Sequence, residues 1–386
     1  MKTKVFRKVT FFLAMAVCIA GCSNSFDMNN GDEEDDGDHI DPIVPLSDYS
    51  SVAFIARITD NSADWSLCVM DKSGYDMRKI FDKTVACQKP ASSHSGTKLL
   101  FTSVEFDSWT NEDNSVGMSS EYSLYIVNTD GTNLTLIDHI DTKVSGSFGN
   151  FAWSPDDRQI VYVKYSGASW ENCDLIRYNI SDNTRKILKT EGNICIPKFS
   201  PDGKQIAYCT SVENSHHIYK MDVDGKNNRL IISNASSPKW SLQGDKIAYS
   251  SSGQEGSSQI FVANADGSNQ TQLTFTISPV RYPGWAPDGN NDPQWTPDGK
   301  KIVYVSWENG RPEIFIMNVD GSEQTRLTIA EFRDEHPEIT PDGKHILFAS
   351  RRSDMMNLDG GICIMALDGK NQKVLYRTGY NPIACK

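Results

Sequence analysis

The sequence predicts an all-β fold, a closed ring of four-stranded antiparallel units, and three observations carry this. A ten-residue phrase recurs: WSPDDRQIVY from Trp153, FSPDGKQIAY from Phe199, WSLQGDKIAY from Trp240, WTPDGKKIVY from Trp295 and ITPDGKHILF from Ile339, with a weaker copy, SSHSGTKLLF, from Ser92. After a connection, five of the six phrases are followed by an alternating segment with Asp-Gly, such as HIYKMDVDG from His217 and EIFIMNVDG from Glu313. The equivalent serine or threonine positions 93, 154, 200, 241, 296 and 340 lie 61, 46, 41, 55 and 44 residues apart. Units of about forty to fifty residues, each with four short strands, build a β-propeller.

The first segment sets the compartment. Lys2, Lys4, Arg7 and Lys8 precede an apolar run from Val9 to Ala20, too short to span a bilayer as a mature helix. Residues 1–21 read as a secretory signal peptide. The run ends in IAGC, Ile19 to Cys22, which resembles a bacterial lipobox. The resemblance implies lipid attachment at Cys22, which becomes the mature N-terminus. Residues 22–48 include NNGDEEDDGDHID, a stretch with too little apolar surface to order itself. It reads as a solvated tether and loosely resembles the acidic export signals of surface lipoproteins. The propeller then occupies residues 49–386.

Within each unit, period-two alternation marks half-buried strands. The order is strand A, SPDG turn, strand B, loop, strand C, Asp-Gly turn, strand D. Pro presets the first corner of the SPDG turn, and Gly takes its left-handed position. Asp-Gly closes the second hairpin for the same reason. The phrase resembles the TolB-type propeller repeat, a relative in shape of WD repeats. Ser95, Gln243 and Asp157 depart from it, where Asp, Asp and Gly are usual, and are expected to weaken single turns. Six units carry the phrase. A seventh has only strands B, C and D, in SVAFIARI from Ser51, SLCVMDKSG from Ser66 and MRKIF from Met77. The final NPIACK is expected to supply its strand A, because Pro382 matches Pro337 and Pro197; DPIVPLSDY, Asp41 to Tyr49, is the rival. The prediction is seven blades closed by a terminal strand, within a range of six to eight.

The tight A–B and C–D turns share one face, and the varied B–C and D–A connections share the other. Propellers place function in such variable connections. Trp109, Trp170, Trp285 and Trp307 fall there, with Arg281, Tyr282, Arg333, Arg351 and Arg352. Aromatic faces beside hydrogen-bonding groups suit protein anchors or sugars. Trp153, Trp240 and Trp295 recur in strand A and read as core. A ring of residues just before strand A is expected at the channel mouth: Lys89, Asn150, Ile196, Ser237, Asp292, His336 and Asn381. One His and one Asp make it a poor metal site.

The chain of 386 residues has 38 basic and 50 acidic residues, a net charge of −12. Loss of the signal takes away four basic and no acidic residues, leaving −16. Such a chain is a poor nucleic-acid binder. Seven cysteines remain beyond Cys18 and Cys22, with no CxxC pair, so zinc is not expected. Cys68 and Cys363 stand where Phe315 stands in its repeat and read as buried apolar side chains. One disulfide elsewhere is open.

No GxSxG elbow marks a hydrolase. Propeller-type oligogalacturonate lyases resemble the chain around DEHPEITPDG, but they use a histidine-rich metal site, and only His336 is well placed here. The expectation is therefore no catalytic residues, no metal and no cofactor. TolB contacts an envelope lipoprotein through its propeller, so the resemblance implies a protein partner in the bacterial envelope. The predicted function is a lipid-anchored binding module, outer-membrane bound and facing the periplasm or the surface. Glycan capture by the loop tryptophans and a lyase activity are the alternatives.

Overall fold

The computed structural model describes residues 51–57, 65–81, 90–110, 116–140, 146–167, 172–190, 192–212, 215–253, 257–276, 289–329, 332–352, 361–377 and 379–385. They form seven four-stranded antiparallel sheets. Blade 1 joins Gly379–Cys385 to Ser51–Arg57, Trp65–Asp71 and Arg78–Lys79. The innermost strands A of blades 2 to 7 are Ala91–Ser92, Gly146–Trp153, Ile194–Phe199, Ala235–Trp240, Asn290–Trp295 and Phe332–Ile339. The C-terminal segment thus supplies the missing strand A of blade 1, pairing Val52 with Ala384 and Ala53 with Ile383. The rival segment Asp41 to Tyr49 lies outside the described residues, and its place in the blade is filled. Each strand A touches the next around the whole circle, the last against the first. This closure leaves no blade edge open at the chain ends.

Burial follows the blades. Seven apolar clusters each lie between two neighbouring blades, so every junction has its own core. A cross-strand B–C pair recurs in each: Tyr208 opposite Tyr219, Tyr249 opposite Phe261, and Tyr304 opposite Phe315. These rings lie 5.8, 5.5 and 5.6 Å apart. Cys68 and Cys363 take the same place opposite Phe54 and Phe348, and both are buried thiols, as expected. The buried tyrosine hydroxyls donate to an amide beside the Asp-Gly turn: Tyr208 to Asn228 at 2.8 Å, Tyr249 to Gln270 at 3.3 Å and Tyr304 to Gln324 at 3.2 Å.

The turn face is stitched blade to blade. The strand A indoles donate backwards to the preceding strand A: Trp153 to the Ala91 carbonyl at 2.9 Å, Trp240 to Lys198 at 3.4 Å and Trp295 to Lys239 at 3.0 Å. In the SPDG turns, a Cβ on Gly203, Gly244 or Gly343 would lie 3.6, 3.4 or 3.3 Å from the proline of the preceding blade. The expectation that the three departures weaken their turns needs correction for Asp157. Its carboxylate accepts from the backbone N–H of His94 at 2.6 Å and of Ser95 at 2.7 Å in the preceding blade. His94 stands where four of the other turns have proline, and only a residue other than proline has that N–H. At the other two departures the turn hydroxyl keeps a partner: Ser93 pairs with Ser95 at 3.0 Å, and Ser241 donates to Asp245 at 2.8 Å.

Candidate binding face

On the opposite face, strand A carries a bulge. The pairing with strand B shifts register between Cys195 and Lys198, Ser236 and Lys239, Asn291 and Gln294, and Glu335 and Glu338. The bulged residue has positive φ: Ile196 at 49°, Ser237 at 54°, Asp292 at 57°, His336 at 56° and, in blade 1, Asn381 at 52°. A proline follows each of them. The left-handed conformation costs about 1–2 kcal/mol for a residue with a Cβ. It persists because the strand is hydrogen-bonded on both sides of the bulge, which re-aims one side chain per blade. The expected ring therefore lies inside strand A, not before it. Neighbouring members meet: Asn150 Oδ1 accepts from Ile196 N at 3.2 Å, and His336 Nδ1 lies 3.9 Å from Asp292 Oδ2. Lys89 lies outside the described residues.

Blades 6 and 7 concentrate charge beside this ring. Arg333 and Arg351 sit directly opposite each other across strands A and B of blade 7. Like charges so placed repel. Glu335 resolves the conflict: one carboxylate oxygen accepts from Arg333 at 3.1 Å and the other accepts from Arg351. Burial opposes ionisation of Glu335, but Arg351 and then Arg333 outweigh it and hold its carboxyl below the ordinary range. The Arg333 guanidinium also lies 5.0 Å from the Trp307 ring centre. Next to Glu335, Asp334 is only 3% exposed. Burial, with the charges of Glu313 and Glu335 adding, pushes its carboxyl up to about 6. Glu313 is fully buried and accepts from Arg326 at 2.6 Å and from Asn309 at 2.8 Å.

Of the residues singled out in the sequence, Trp307, Arg333, Arg351 and His336 thus gather on blades 6 and 7. Arg333, Arg351 and Arg352 belong to strands, not to connections. The insertion holding Trp109 is also not a loop: Lys98–Thr110 and Val116–Asn128 extend the B–C hairpin of blade 2, because the alternation continues through VEFDSW. The side chains of Trp109 and Arg352 lie outside the described residues, as do Cys22, Trp170, Arg281, Tyr282 and Trp285. Trp307 is 6% exposed, so its ring supports Arg333 from beneath instead of presenting an open face. Sequence reasoning missed Glu313, Arg326, Asp334 and Glu335. For Asp334 and Glu335 the signal was RDEHPE, the most highly charged of the strand A segments; Glu313 and Arg326 had none. Among the described residues, no group of three or more His, Cys, Asp or Glu side chains is placed to hold a metal ion.

The ring of seven four-stranded blades, closed by its C-terminal strand and built on SPDG turns, defines a seven-bladed β-propeller. The chain belongs to the TolB beta propeller domain family, whose profile matches residues 108–291 and 289–382, more than half of its length. An uncharacterized protein of Agrobacterium fabrum is 27% identical over 238 residues, 58% of this chain and 74% of that one. The Tol-Pal system protein TolB of Francisella tularensis is 29% identical over 254 residues, 62% of this chain. Those residues span 54% of the TolB chain, about half its length. Among solved structures, TolB from Acinetobacter baumannii gives a TM-score of 0.51 at 18% identity, covering 86% of this chain and 82% of that one. Oligogalacturonate lyase in complex with manganese gives 0.59 at 15% identity, with 80% and 87% covered. At such identities the likeness is one of fold.

Proposed function

We propose that this protein is a non-catalytic binding module of the bacterial cell envelope, anchored by lipid at Cys22, that takes a protein partner on the loop-side face. The observation that carries the reading is the arginine pair of blade 7, held by Glu335 and backed by Trp307 beside the channel-mouth ring. Arg and Trp are the residue types that dominate binding energy at protein interfaces. Similarity to a protein named for the Tol-Pal system points the same way. The glycan reading leans on loop tryptophans, and Trp307, the one described in full, is covered. The lyase reading has His336 beside Asp292 and no further ligand around it among the described residues.

The test is cross-linking of the full chain in envelope extract, followed by affinity measurement with the partner so identified. Arg333→Ala should weaken binding by about tenfold or more, the effect of a hot-spot residue. Asp224→Ala and Asp320→Ala, on the turn face, should leave it unchanged. The reverse pattern would move the site to the other face. Binding to a glycan array, or turnover of polygalacturonate with manganese, would replace this reading by one of its alternatives. Lipid attachment is tested separately: labelled palmitate should be incorporated by the wild type and not by Cys22→Ala. Equal labelling of the two rejects the anchor.

A further inference from the structure

Two neighbouring junctions of the ring contain the same largely buried polar motif, written once in neutral residues and once in charged ones, with Arg326 reaching the surface. Between blades 5 and 6 the members are Gln259 at the start of strand C, Gln272 in strand D and Asn290 in the next strand A. Gln259 Oε1 accepts from Thr274 Oγ1 at 2.7 Å and from Asn290 Nδ2 at 2.9 Å. Gln272 Nε2 donates to the Thr274 carbonyl at 2.7 Å. Between blades 6 and 7 the equivalent residues are Glu313, Arg326 and Asp334. The equivalence rests on backbone contacts as well as on spacing. Ile260 N donates to Thr274 Oγ1 at 2.9 Å, and Ile314 N donates to Thr328 Oγ1 at 3.0 Å. Arg326 Nε donates to the Thr328 carbonyl at 2.7 Å, as Gln272 does to that of Thr274. Asn290 and Asp334 each lie two residues before the bulged residue, and Oδ1 of both is buried without a hydrogen-bond partner. At this position the other described blades have Ile194, Ala235, Phe148 and Gly379.

The charge count then differs. The neutral set sums to zero. The charged set has one cation and two carboxylates, so it leaves one net negative charge in a place where Asp334 and Glu313 are both buried. An uncompensated buried charge is costly, and the cheaper state is protonation of one carboxyl. Arg326 bonds to Glu313 at 2.6 Å and Asn309 donates to it at 2.8 Å. Among the described residues, no cation pairs with Asp334. We propose that Asp334 keeps a proton in the closed ring and uses it toward Glu313 as Asn290 uses its amide toward Gln259, making the blade 6–7 junction a proton-held joint that weakens when the proton leaves.

The surroundings agree with this placement. From blade 6, the Glu313 charge disfavours the Asp334 anion, and Glu308 beyond it is itself pushed up by burial and by Glu313. From blade 7, Glu335 adds to the same effect, while its two arginines are engaged by its own carboxylate. His336 acts on Glu335 and is placed against Asp292. Cys363 is pushed up to about 12 by burial, with the Asp334 charge adding. The hydroxyls of Ser350 and Thr328 partly offset the shift of Asp334.

The sign follows. A carboxyl whose affinity for its proton is raised by folding stabilises the fold below its unfolded value, and that contribution is lost as pH rises through the folded value, about 6 here. The test is thermal and denaturant unfolding of the full chain between about pH 5 and about pH 8, for the wild type and Asp334→Asn. The unfolding constant of the wild type should rise by about tenfold or more across this range relative to that of the variant. Asp334→Asn should be the more stable protein at the upper end. Carbon-13 carboxyl resonances supply a readout that does not depend on the variant folding. One aspartate signal should titrate near 6 in the wild type, and Glu313→Gln should move it lower by removing the like charge. Parallel pH profiles for wild type and Asp334→Asn would overturn the proposal. So would the absence of any aspartate resonance titrating above the ordinary range.

Discussion

On the turn face, blades 3 to 7 are fastened to the one before by a small recurring set of contacts, whereas on the loop face adjacent junctions differ in their chemistry. The turn-face carboxylates are served locally: Asp156, Asp202 and Asp298 accept from the turn hydroxyls of Ser154, Ser200 and Thr296, each at 2.6 Å. Those hydrogen bonds hold the three carboxyls below the ordinary range. Their contribution is present at neutral pH and is lost as pH falls through the folded values. Asp334 on the loop side has the opposite sign. Its contribution is lost as pH rises through about 6. The difference teaches where this ring keeps its regularity and where it accepts strain. Repetition on one face fixes the blades, and the fixed blades hold left-handed bulges and buried charges on the other.

That division is open to direct attack through its glycines. Gly267, in an Asp-Gly turn, has φ of 89°, and a Cβ there would lie 2.1 Å from the carbonyl oxygen of Ile231 in the preceding blade. Gly167, in the B–C connection of blade 3, has nearly the same φ, 86°, with nothing among the described residues within 4 Å of its Cβ position. Backbone conformation alone treats them alike. Gly167→Ala should therefore cost only the left-handed penalty, about 1 kcal/mol. Gly267→Ala must also push two blades apart and should cost about 2–4 kcal/mol. Denaturant unfolding measures both. Equal losses would show that the turn face is not stitched through close approach.

Much of this architecture was legible in the chain because its causes are local and repeated. Alternation, SPDG and Asp-Gly are each read within ten residues, and Pro382 betrayed the closing strand by matching Pro337 and Pro197. The bulge was not legible. A residue before proline ordinarily avoids helical backbone and extends, so Ile196 or Ser237 in a left-handed conformation contradicts its local preference; only pairing on both sides of it holds it there. The charged junction was hidden for another reason. Glu313, Arg326 and Asp334 belong to three strands of two blades, and their meeting depends on how blade 7 docks on blade 6. Arg333, Arg351 and Trp307 were found as residue types suited to binding, yet the carboxylate that organises them, Glu335, passed as one more charge in RDEHPE.

The smallest predicted effect is the sharpest test of the stitched face, because repeat logic and contact logic disagree about its sign. Asp157 occupies the left-handed position of its turn, with φ of 57°, where the other SPDG turns have glycine. By consensus, Asp157→Gly should relieve strain and stabilise. By contact, it removes a carboxylate that accepts two backbone N–H groups of blade 2, at 2.6 and 2.7 Å. Hydrogen bonds to a charged acceptor contribute about 1.5–3 kcal/mol each when well shielded, and less at a surface turn. Set against the relief of about 1–2 kcal/mol, the balance is a net loss of about 1 kcal/mol. Adding His94→Pro to Asp157→Gly restores the pattern at Gly203, Gly244 and Gly343, where glycine lies against the preceding proline, and removes one of the two N–H groups that lose the Asp157 acceptor, that of His94 but not that of Ser95. The double variant should therefore recover part of the loss, and the two changes should be non-additive in a double-mutant cycle. A stabilised Asp157→Gly, or additive changes, would mean that the Asp157 contact between blades 2 and 3 contributes nothing.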